Sequence, residues 1–273
     1  MPRISIIMSV YNAERSLAAA IDSILAQTCQ DWEFVICDDA STDQSWQILQ
    51  KYHASQPDKF VLLQNQENRR LAYSLNRCLQ LAKGDYIARM DADDLSHPER
   101  LEKQLAFLQA NPEFVLCGTA MQRFADDGSL GAIDPCCPYP DYYEPHRSNV
   151  FNHATILTHK WVYEQLGGYT VSPRTVRGQD RDLWFRFLKA GLRGANMPDA
   201  LYLVREDLAA IRRRTLRDYW ISYQNSIYGY RLLGYPWHWY LKPTLNLLKG
   251  LLPYQAVLAY RKMQAKKQNK QPI

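Results

Sequence analysis

GDYIARMDADDLSHPERL, residues 84–101, is the stretch that decides the fold. Residues 85–90 carry Tyr86, Ile87, Ala88 and Met90 and predict a buried strand that stops at Asp91-Ala92-Asp93-Asp94. Ser96-His97-Pro98-Glu99 then predicts a helix start: a cap, a proline in the first turn and a glutamate at the third position, the pattern of a capping box. Leu101, Leu105 and Leu108 continue that helix at helical spacing. A strand that ends in carboxylates and hands over to a helix is one unit of a parallel α/β sheet, where ligands bind beyond the carboxyl ends of the strands.

Upstream the same unit recurs. Ile4–Val10 predicts a strand, Asn12 a helix cap, and Leu17, Ile21, Ile24 and Leu25 the apolar face of a helix. Residues 32–37 predict a second strand ending at Asp38-Asp39, and Ser41-Thr42-Asp43 opens a helix bearing Trp46, Leu49 and Tyr52. Residues 60–63 predict a third strand and Leu71–Leu81 a third helix, closed by Gly84 after Lys83. Downstream the signal weakens. Residues 114–124 read as a strand, 125–149 as loop, 155–157 as a strand and 161–166 as a short helix stopped by Gly167-Gly168. Leu183, Phe187 and Ala190 line a helix ending at Gly191. Beyond Arg205 helical segments are broken at Gly234-Tyr235-Pro236 and Leu252-Pro253. The fold class is therefore α/β, a mostly parallel sheet flanked by helices, with a C-terminal helical extension.

The chain has 273 residues, 47% hydrophobic and 22% charged, which excludes global disorder. It has no run of 18 apolar residues, so no spanning helix is expected. Five apolar residues between Arg3 and Tyr11 are too few for a signal-peptide core, so a cytoplasmic location is expected. The six cysteines (Cys29, Cys37, Cys78, Cys117, Cys136, Cys137) show no zinc spacing and read as reduced thiols. The net charge of +5 is uneven: residues 205–273 hold 13 Lys/Arg against 3 Asp/Glu, a balance of +10, which leaves −5 for residues 1–204. That segment also carries eleven Trp/Tyr between Tyr219 and Tyr260, a pattern suited to a membrane headgroup interface and equally to a helical packing element whose aromatics fill the acceptor half. The Arg212-Arg213-Arg214 cluster comes with no nucleic-acid-binding motif, and no nucleic-acid partner is expected.

Asp38, Asp39, Asp91, Asp93 and Asp94 gather at the carboxyl ends of two strands, where they repel one another. A divalent cation relieves such repulsion, and Mg²⁺ typically uses one or two carboxylates and completes its shell with water and phosphate oxygens.

The run SIIMSVYNAERSLAAAIDSILAQT, then WEFVICDDASTD, GDYIARMDADDLSHPERLEKQLAFL and GQDRDLWFRFLKAG resembles the family 2 glycosyltransferases over about residues 3–205. YIARMDADD and YLVRED resemble their exopolysaccharide- and capsule-building branch. The resemblance implies a GT-A fold with a nucleotide half at 1–110, an acceptor half at 111–204 and a basic aromatic tail at 205–273. It implies that Ser9 and Tyr11 line the nucleotide pocket, that Asp39 accepts from the base (most often uracil), and that Asp38 supports that turn. Asp91 and Asp93 match the Asp-x-Asp that holds Mn²⁺ or Mg²⁺ and the ribose and diphosphate. Asp180 matches the catalytic aspartate, which takes a proton from the acceptor hydroxyl. Arg69 or Arg70 could reach a phosphate; His153, Gln179 and Asp182 fall on the acceptor side.

The implied reaction is an inverting, metal-dependent transfer from a UDP-sugar to a saccharide acceptor. An acceptor on polyprenyl diphosphate would place the enzyme on the inner face of the cell membrane, bound to its anionic surface. Gln179 departs from the family's usual Glu, Ala40 from its Gly and Leu75 from a frequent Arg, while Asn76 matches. The Gln179 departure keeps open an alternative, a non-catalytic protein that binds nucleotide-sugar or a protein partner. IARMDADDL also resembles the nucleophile strand of haloacid-dehalogenase phosphatases, but that strand usually opens its domain, and this one follows three strand–helix units.

Overall fold

β1 (Ile4–Val10) is buried along nearly its whole length, as its almost unbroken apolar run requires of a strand covered on both faces. It pairs in parallel with β2 (Trp32–Asp38) on one side and β4 (Tyr86–Arg89) on the other. β3 (Phe60–Gln64) extends the parallel ladder beyond β2. The helices α1 (Leu17–Leu25), α2 (Ser45–Ser55) and α3 (Leu71–Leu81) connect these strands. Ile4, Ile6, Met8 and Val10 share one core with Leu17, Ile21 and Ile24 of α1 and with Phe34 and Ile36 of β2. A computed structural model describes residues 2–206 and 215–251. The chain divides into two units, one ending at Glu206 and the other starting at Asp207.

Within the first unit a nine-stranded sheet runs β3-β2-β1-β4-β8-β6-β9-β5, with β7 on β6. β5 is Leu95–Ser96 and α4 is Arg100–Ala110. β6 is Leu116–Phe124, β7 Leu130–Asp134 and β8 Leu157–His159. β9 (Gly194–Arg205) lies parallel to β6, while β4–β8, β6–β8, β6–β7 and β5–β9 are antiparallel. The short helix α5 (Glu144–Arg147), α6 (Lys160–Leu166) and α7 (Gln179–Lys189) complete the unit. The order 3-2-1-4 puts a topological switch between β1 and β4, and the crevice beyond their carboxyl ends is where such a sheet binds its ligand.

Several expectations change in detail. Asn12 does not cap α1; it takes a left-handed φ of 51°, its Oδ1 accepts from the Thr42 N–H at 2.8 Å, and the helix begins at Leu17. Ser96 does not cap α4; it ends β5, and its hydroxyl accepts from Arg100 Nε at 2.7 Å and Gln27 Nε2 at 3.0 Å. Gly84 does not close α3. A Cβ there would sit 2.6 Å from the Ser5 backbone nitrogen, so glycine is required by the close approach to β1. Residues 153–155 form a 3₁₀ turn, and the strand starts later, at Leu157. Gly167 does stop α6 in a left-handed cap.

In the second unit α8 (Leu216–Leu233) opens with a capping box between Thr215 and Asp218 and ends at Gly234, whose φ is 65°. A 3₁₀ turn (Trp237–Tyr240) leads into α9 (Leu241–Lys249). Tyr230 packs against Tyr235 and Tyr240, with ring centroids 5.0 and 5.7 Å apart, and Trp239 packs on Tyr235 at 5.0 Å. These aromatics form a small core of their own. No helix among the described residues is long and apolar enough to cross a membrane. The Arg212-Arg213-Arg214 cluster, the break at Leu252-Pro253, and Tyr254 and Tyr260 lie outside the described residues.

Candidate active site

The turn Asp91–Asp94 leaves β4 at the switch point and is clamped from behind by β9. Tyr202 hydroxyl oxygen accepts the Asp91 N–H at 3.0 Å, Asp94 Oδ1 accepts the Arg205 N–H at 2.8 Å, and Arg205 Nε donates to the Asp93 carbonyl at 3.0 Å. β5, next in the chain, pairs Leu95 with Leu203 and Ser96 with Tyr202, so the turn is held at both ends. Neither Tyr202 nor Arg205 stands out in the sequence as a site residue. The usable signal was YLVRED itself, a run with polar residues where a buried strand should end.

Arg89, fully buried in β4, donates to Asp91 Oδ1 and to the Met90 carbonyl. Burial opposes its charge most strongly, but Asp91 together with Tyr169 and Tyr202 outweighs this, and its pKa stays above the usual value. A charged residue in a buried strand is itself a sequence signal, and YIARMD contains it. Arg100 is also fully buried. Burial pulls it down to about 10, and its Nη1 donates to the Arg89 carbonyl at 3.2 Å.

Asp91 is half-buried, Asp93 exposed and Asp94 buried. The protein packed around Asp93, and then the Asp91 charge, raise its carboxyl. Burial first, then Asp91 and Asp93, push Asp94 up to about 8. Crowding of this kind fits a divalent cation. The oxygen donors of Asp91 and Asp93 are the hard ligands it prefers, and their mutual repulsion is what it would relieve. Among the described residues no group of three or more His, Cys, Asp or Glu stands ready to hold a metal, so two carboxylates plus water and diphosphate oxygens is the fitting shell.

Of the residues expected to line the nucleotide pocket, Ser9 is half-buried near the end of β1 and Tyr11 is exposed just beyond it. Asp38 Oδ2 accepts from the Ser41 N–H and from Gln64 Nε2, each at 3.2 Å, while its Oδ1 is buried with no partner among the described residues. Asp39 is only 2% exposed. Its Oδ1 accepts from Asn65 Nδ2 at 2.6 Å and from the Arg69 N–H at 2.8 Å, and its Oδ2 accepts from the Arg70 N–H at 2.8 Å. Three of its roughly four acceptor sites are thus used inside the protein. Asn65, which sequence reasoning passed over, links this aspartate to Ser74 of α3 at 2.9 Å.

Arg69 pairs with Glu67 at 3.3 Å and lies over the Tyr73 ring, whereas the exposed Arg70 side chain meets no partner among the described residues. Asn12, Ala40 and Arg70 are the three non-glycine residues with positive φ among the described residues, at 51°, 61° and 72°. They sit in the loops after β1, β2 and β3, and strained backbone of this kind clusters at binding sites. Ala40 thus occupies a conformation that favours glycine, the residue the resemblance leads one to expect.

Of the residues expected on the acceptor side, Asp180 lies in the first turn of α7, half-buried. Its carboxyl is raised, chiefly by burial, with Asp91 adding to the rise against the nearby Arg181. Asp182, expected on the acceptor side, is fully buried, and both of its carboxylate oxygens are engaged by neighbouring side chains. Its oxygens accept from Thr170 Oγ1 at 2.6 Å, Arg174 Nη1 at 2.5 Å and Arg186 Nε at 2.8 Å. Residues two apart on a helix point to different sides, which separates the two aspartates. Burial opposes the Asp182 charge, yet Thr170, Arg174 and Arg186 hold its carboxyl below the usual range. Gln179 is buried at the start of α7. His153 Nε2 is hydrogen-bonded to Tyr169 Oη at 2.7 Å, which in turn meets Tyr163 Oη at 2.7 Å. Burial and then Arg89 push His153 well below its usual pKa, so it is neutral at pH 7.

An α/β sheet with a carboxylate-lined switch point and a separate raised carboxylate is an arrangement that suits a nucleotide-dependent transferase. The sequence profile of glycosyl transferase family 2 matches residues 5–161. The chain is 43% identical over 265 residues to "Putative glycosyltransferase EpsE" of Bacillus subtilis, spanning 96% of this chain and 94% of that protein. It is 27% identical to the Escherichia coli UDP-Glc:alpha-D-GlcNAc-diphosphoundecaprenol beta-1,3-glucosyltransferase WfaP, over 75% of this chain and 78% of that one. In structure it is similar to Staphylococcus aureus TarS 1–349 in complex with UDP (TM-score 0.67, 17% identity, 92% of this chain and 71% of that one). It is also similar to the Pyrobaculum calidifontis mannosyltransferase in complex with GDP-Man and Mn²⁺ (TM-score 0.62, 21% identity, 97% and 80%). The chain belongs to glycosyl transferase family 2: it is a glycosyltransferase with a mostly parallel, helix-flanked sheet of the GT-A kind.

Proposed function

We propose that this glycosyltransferase moves a sugar from a UDP-sugar, with inversion at the anomeric carbon, to a saccharide acceptor carried on polyprenyl diphosphate in exopolysaccharide or capsule synthesis. The observation that carries the proposal is the carboxylate corner Asp91–Asp94 at the end of β4, beside the sheet's switch point, in a chain that belongs to glycosyl transferase family 2; the rise of Asp180 by burial, with a contribution from Asp91, agrees with a base on the same site. TarS in complex with UDP supports the donor class, and WfaP's diphosphoundecaprenol acceptor supports the acceptor class.

In the reaction the acceptor oxygen bonds to the anomeric carbon as the bond from that carbon to the diphosphate breaks. Asp180 takes the hydroxyl proton, and its raised pKa makes it a stronger base than an ordinary aspartate. A divalent cation, Mn²⁺ or Mg²⁺, held by Asp91 and Asp93 would neutralise charge building on the departing diphosphate. Arg70 is the cation placed to assist it, since Arg69 is engaged with Glu67. Ser9, Tyr11, Asp38 and Asp39 frame the nucleotide. His153, neutral and fixed by Tyr169, offers the acceptor a hydrogen bond without charge. Residues 1–110 supply the nucleotide half, 111–204 the acceptor half, and 205–273 dock the enzyme on an anionic membrane surface from the cytoplasmic side.

Titration with UDP, GDP and ADP in Mn²⁺, alongside a donor-transfer assay, tests this reading. UDP binds tightest, and Asp180→Asn cuts transfer by about 10²–10⁴-fold while keeping UDP affinity. Equal affinity for the three nucleotides removes the UDP assignment. Unaltered turnover in Asp180→Asn removes the base.

A further inference from the structure

The second unit turns its most apolar helical face outward. α9 packs on α8 through the opposite side: Pro243 is buried, Thr244 and Leu247 are half-buried, and a Cβ on Gly250 would lie 2.8 Å from the Tyr219 ring. Leu241, Leu245 and Leu248, spaced four and three residues apart, share the other face. They are 61%, 49% and 51% exposed, and Trp237, one turn upstream, is 85% exposed. Other aromatics of this unit, Tyr230 and Tyr235, are buried in its small core, so Trp237 is not needed to build it.

We propose that α9 and the turn before it form a membrane-inserting edge: Trp237, Leu241, Leu245 and Leu248 enter the interfacial layer of an anionic bilayer while Lys242 and Lys249 meet its headgroups. This rests on the membrane-docking reading of residues 205–273 and assigns it to one edge.

Charge selects the occupant. Residues 205–273 carry a balance of +10, and residues 252–273, which follow α9 directly, contribute five Lys/Arg and no acidic residue. Two copies joined through this face would bring like charges together, whereas an acidic lipid surface attracts them. Tryptophan prefers the headgroup level, and lysine stems lie along apolar surface with their charge in water. A nine-residue helix with a leucine stripe and flanking lysines lies in the interface plane and does not span it.

The full chain is tested with phosphatidylglycerol–phosphatidylcholine vesicles and with phosphatidylcholine alone. The native chain sediments with the anionic vesicles. The triple variant Leu241→Gln, Leu245→Gln, Leu248→Gln loses roughly tenfold or more of that affinity with its unfolding temperature unchanged. Lys242→Glu with Lys249→Glu also loses it. The Trp237 emission, taken as the difference between the native chain and Trp237→Phe, shifts to the blue on anionic vesicles; this readout needs no leucine variant to fold. If the native chain binds but the triple variant binds equally and Trp237 does not respond, this edge is wrong and docking lies elsewhere in the tail. If the native chain fails to bind, the docking reading itself falls. A dimer that the triple variant dissolves makes a second copy the occupant and overturns the proposal.

Discussion

The backbone N–H of Arg70 donates to Asp39 Oδ2 at 2.8 Å, and Arg70 holds a φ of 72° that an arginine rarely adopts. With the Arg69 N–H on Oδ1, the carboxylate at the end of β2 ties down the loop between β3 and α3. Asp39 therefore shapes this loop from within, whatever it offers a bound base. Asp39→Asn turns one acceptor oxygen into a donor facing an N–H. The expected cost is about 1–3 kcal/mol for a buried, unmade hydrogen bond, with weaker UDP binding alongside. Thermal unfolding of the free protein decides the matter. An unchanged midpoint with lost UDP affinity would make Asp39 a base contact alone.

Ala40, the next residue, has a φ of 61°. A left-handed conformation costs a non-glycine residue about 1–2 kcal/mol, and glycine recovers most of it less its own chain entropy. Ala40→Gly is expected to stabilise the protein by about 0.5–1 kcal/mol and raise its unfolding midpoint by about 1–4 °C. A lower midpoint would mean that the loop is not held as described.

Asp180 and Asp182 should separate cleanly. Asp180→Asn is expected to cut turnover by about 10²–10⁴-fold with little change in stability. Because burial and Asp91 raise its pKa, and the base works only when ionised, kcat/KM falls as pH drops through a value above the ordinary aspartate range. Asp182→Asn leaves Arg174 and Arg186 without their buried carboxylate and is expected to cost about 3–5 kcal/mol. The sign for Asp182 is opposite: its folded pKa is depressed, so its stabilisation is present above about pH 4 and lost as pH falls through the lower, folded value. Reversed effects of the two variants would exchange the roles.

The first four strands are legible as short apolar runs and their helices as periodic ones; α3 spans Leu71–Leu81 as its apolar spacing indicates. The second half hides its elements for physical reasons. β9 contains Pro198-Asp199, and these two residues fall where its register with β6 shifts between Thr119 and Ala120, so the strand reads as broken. β7 is an exposed edge strand with no buried face to impose alternation. Ser96 has the composition of a cap, but its hydroxyl is claimed by Arg100 and Gln27. The carboxylates of the site were readable from strand ends. Of their supports, Arg89 bonds Asp91 two residues away and shows as a charge in a buried strand, whereas Asn65, Tyr202 and Arg205 reach their aspartates by pairing between segments far apart in the chain.

The clearest test of the Asp91–Asp94 corner is a variant whose effect changes sign with metal. Asp93 and Asp94 are both raised by their surroundings and by neighbouring aspartates, so the free corner is electrostatically strained. Asp93→Asn removes one of the three carboxyl groups that crowd this corner. Without metal, in EDTA, its unfolding midpoint should equal or exceed the native one. With Mn²⁺ the order should reverse, because a cation and the UDP it helps hold stabilise only a protein that binds them. Ligand at about 100 times its dissociation constant adds about 2.7 kcal/mol. The native protein should gain that rise with Mn²⁺ and UDP together, and the variant should lose most of it. Tyr202→Phe, which strips the acceptor from the Asp91 N–H, should reduce the same gain without raising stability in EDTA. A variant that loses stability equally with and without metal would make Asp93 a structural carboxylate, and the cation would have to be held elsewhere.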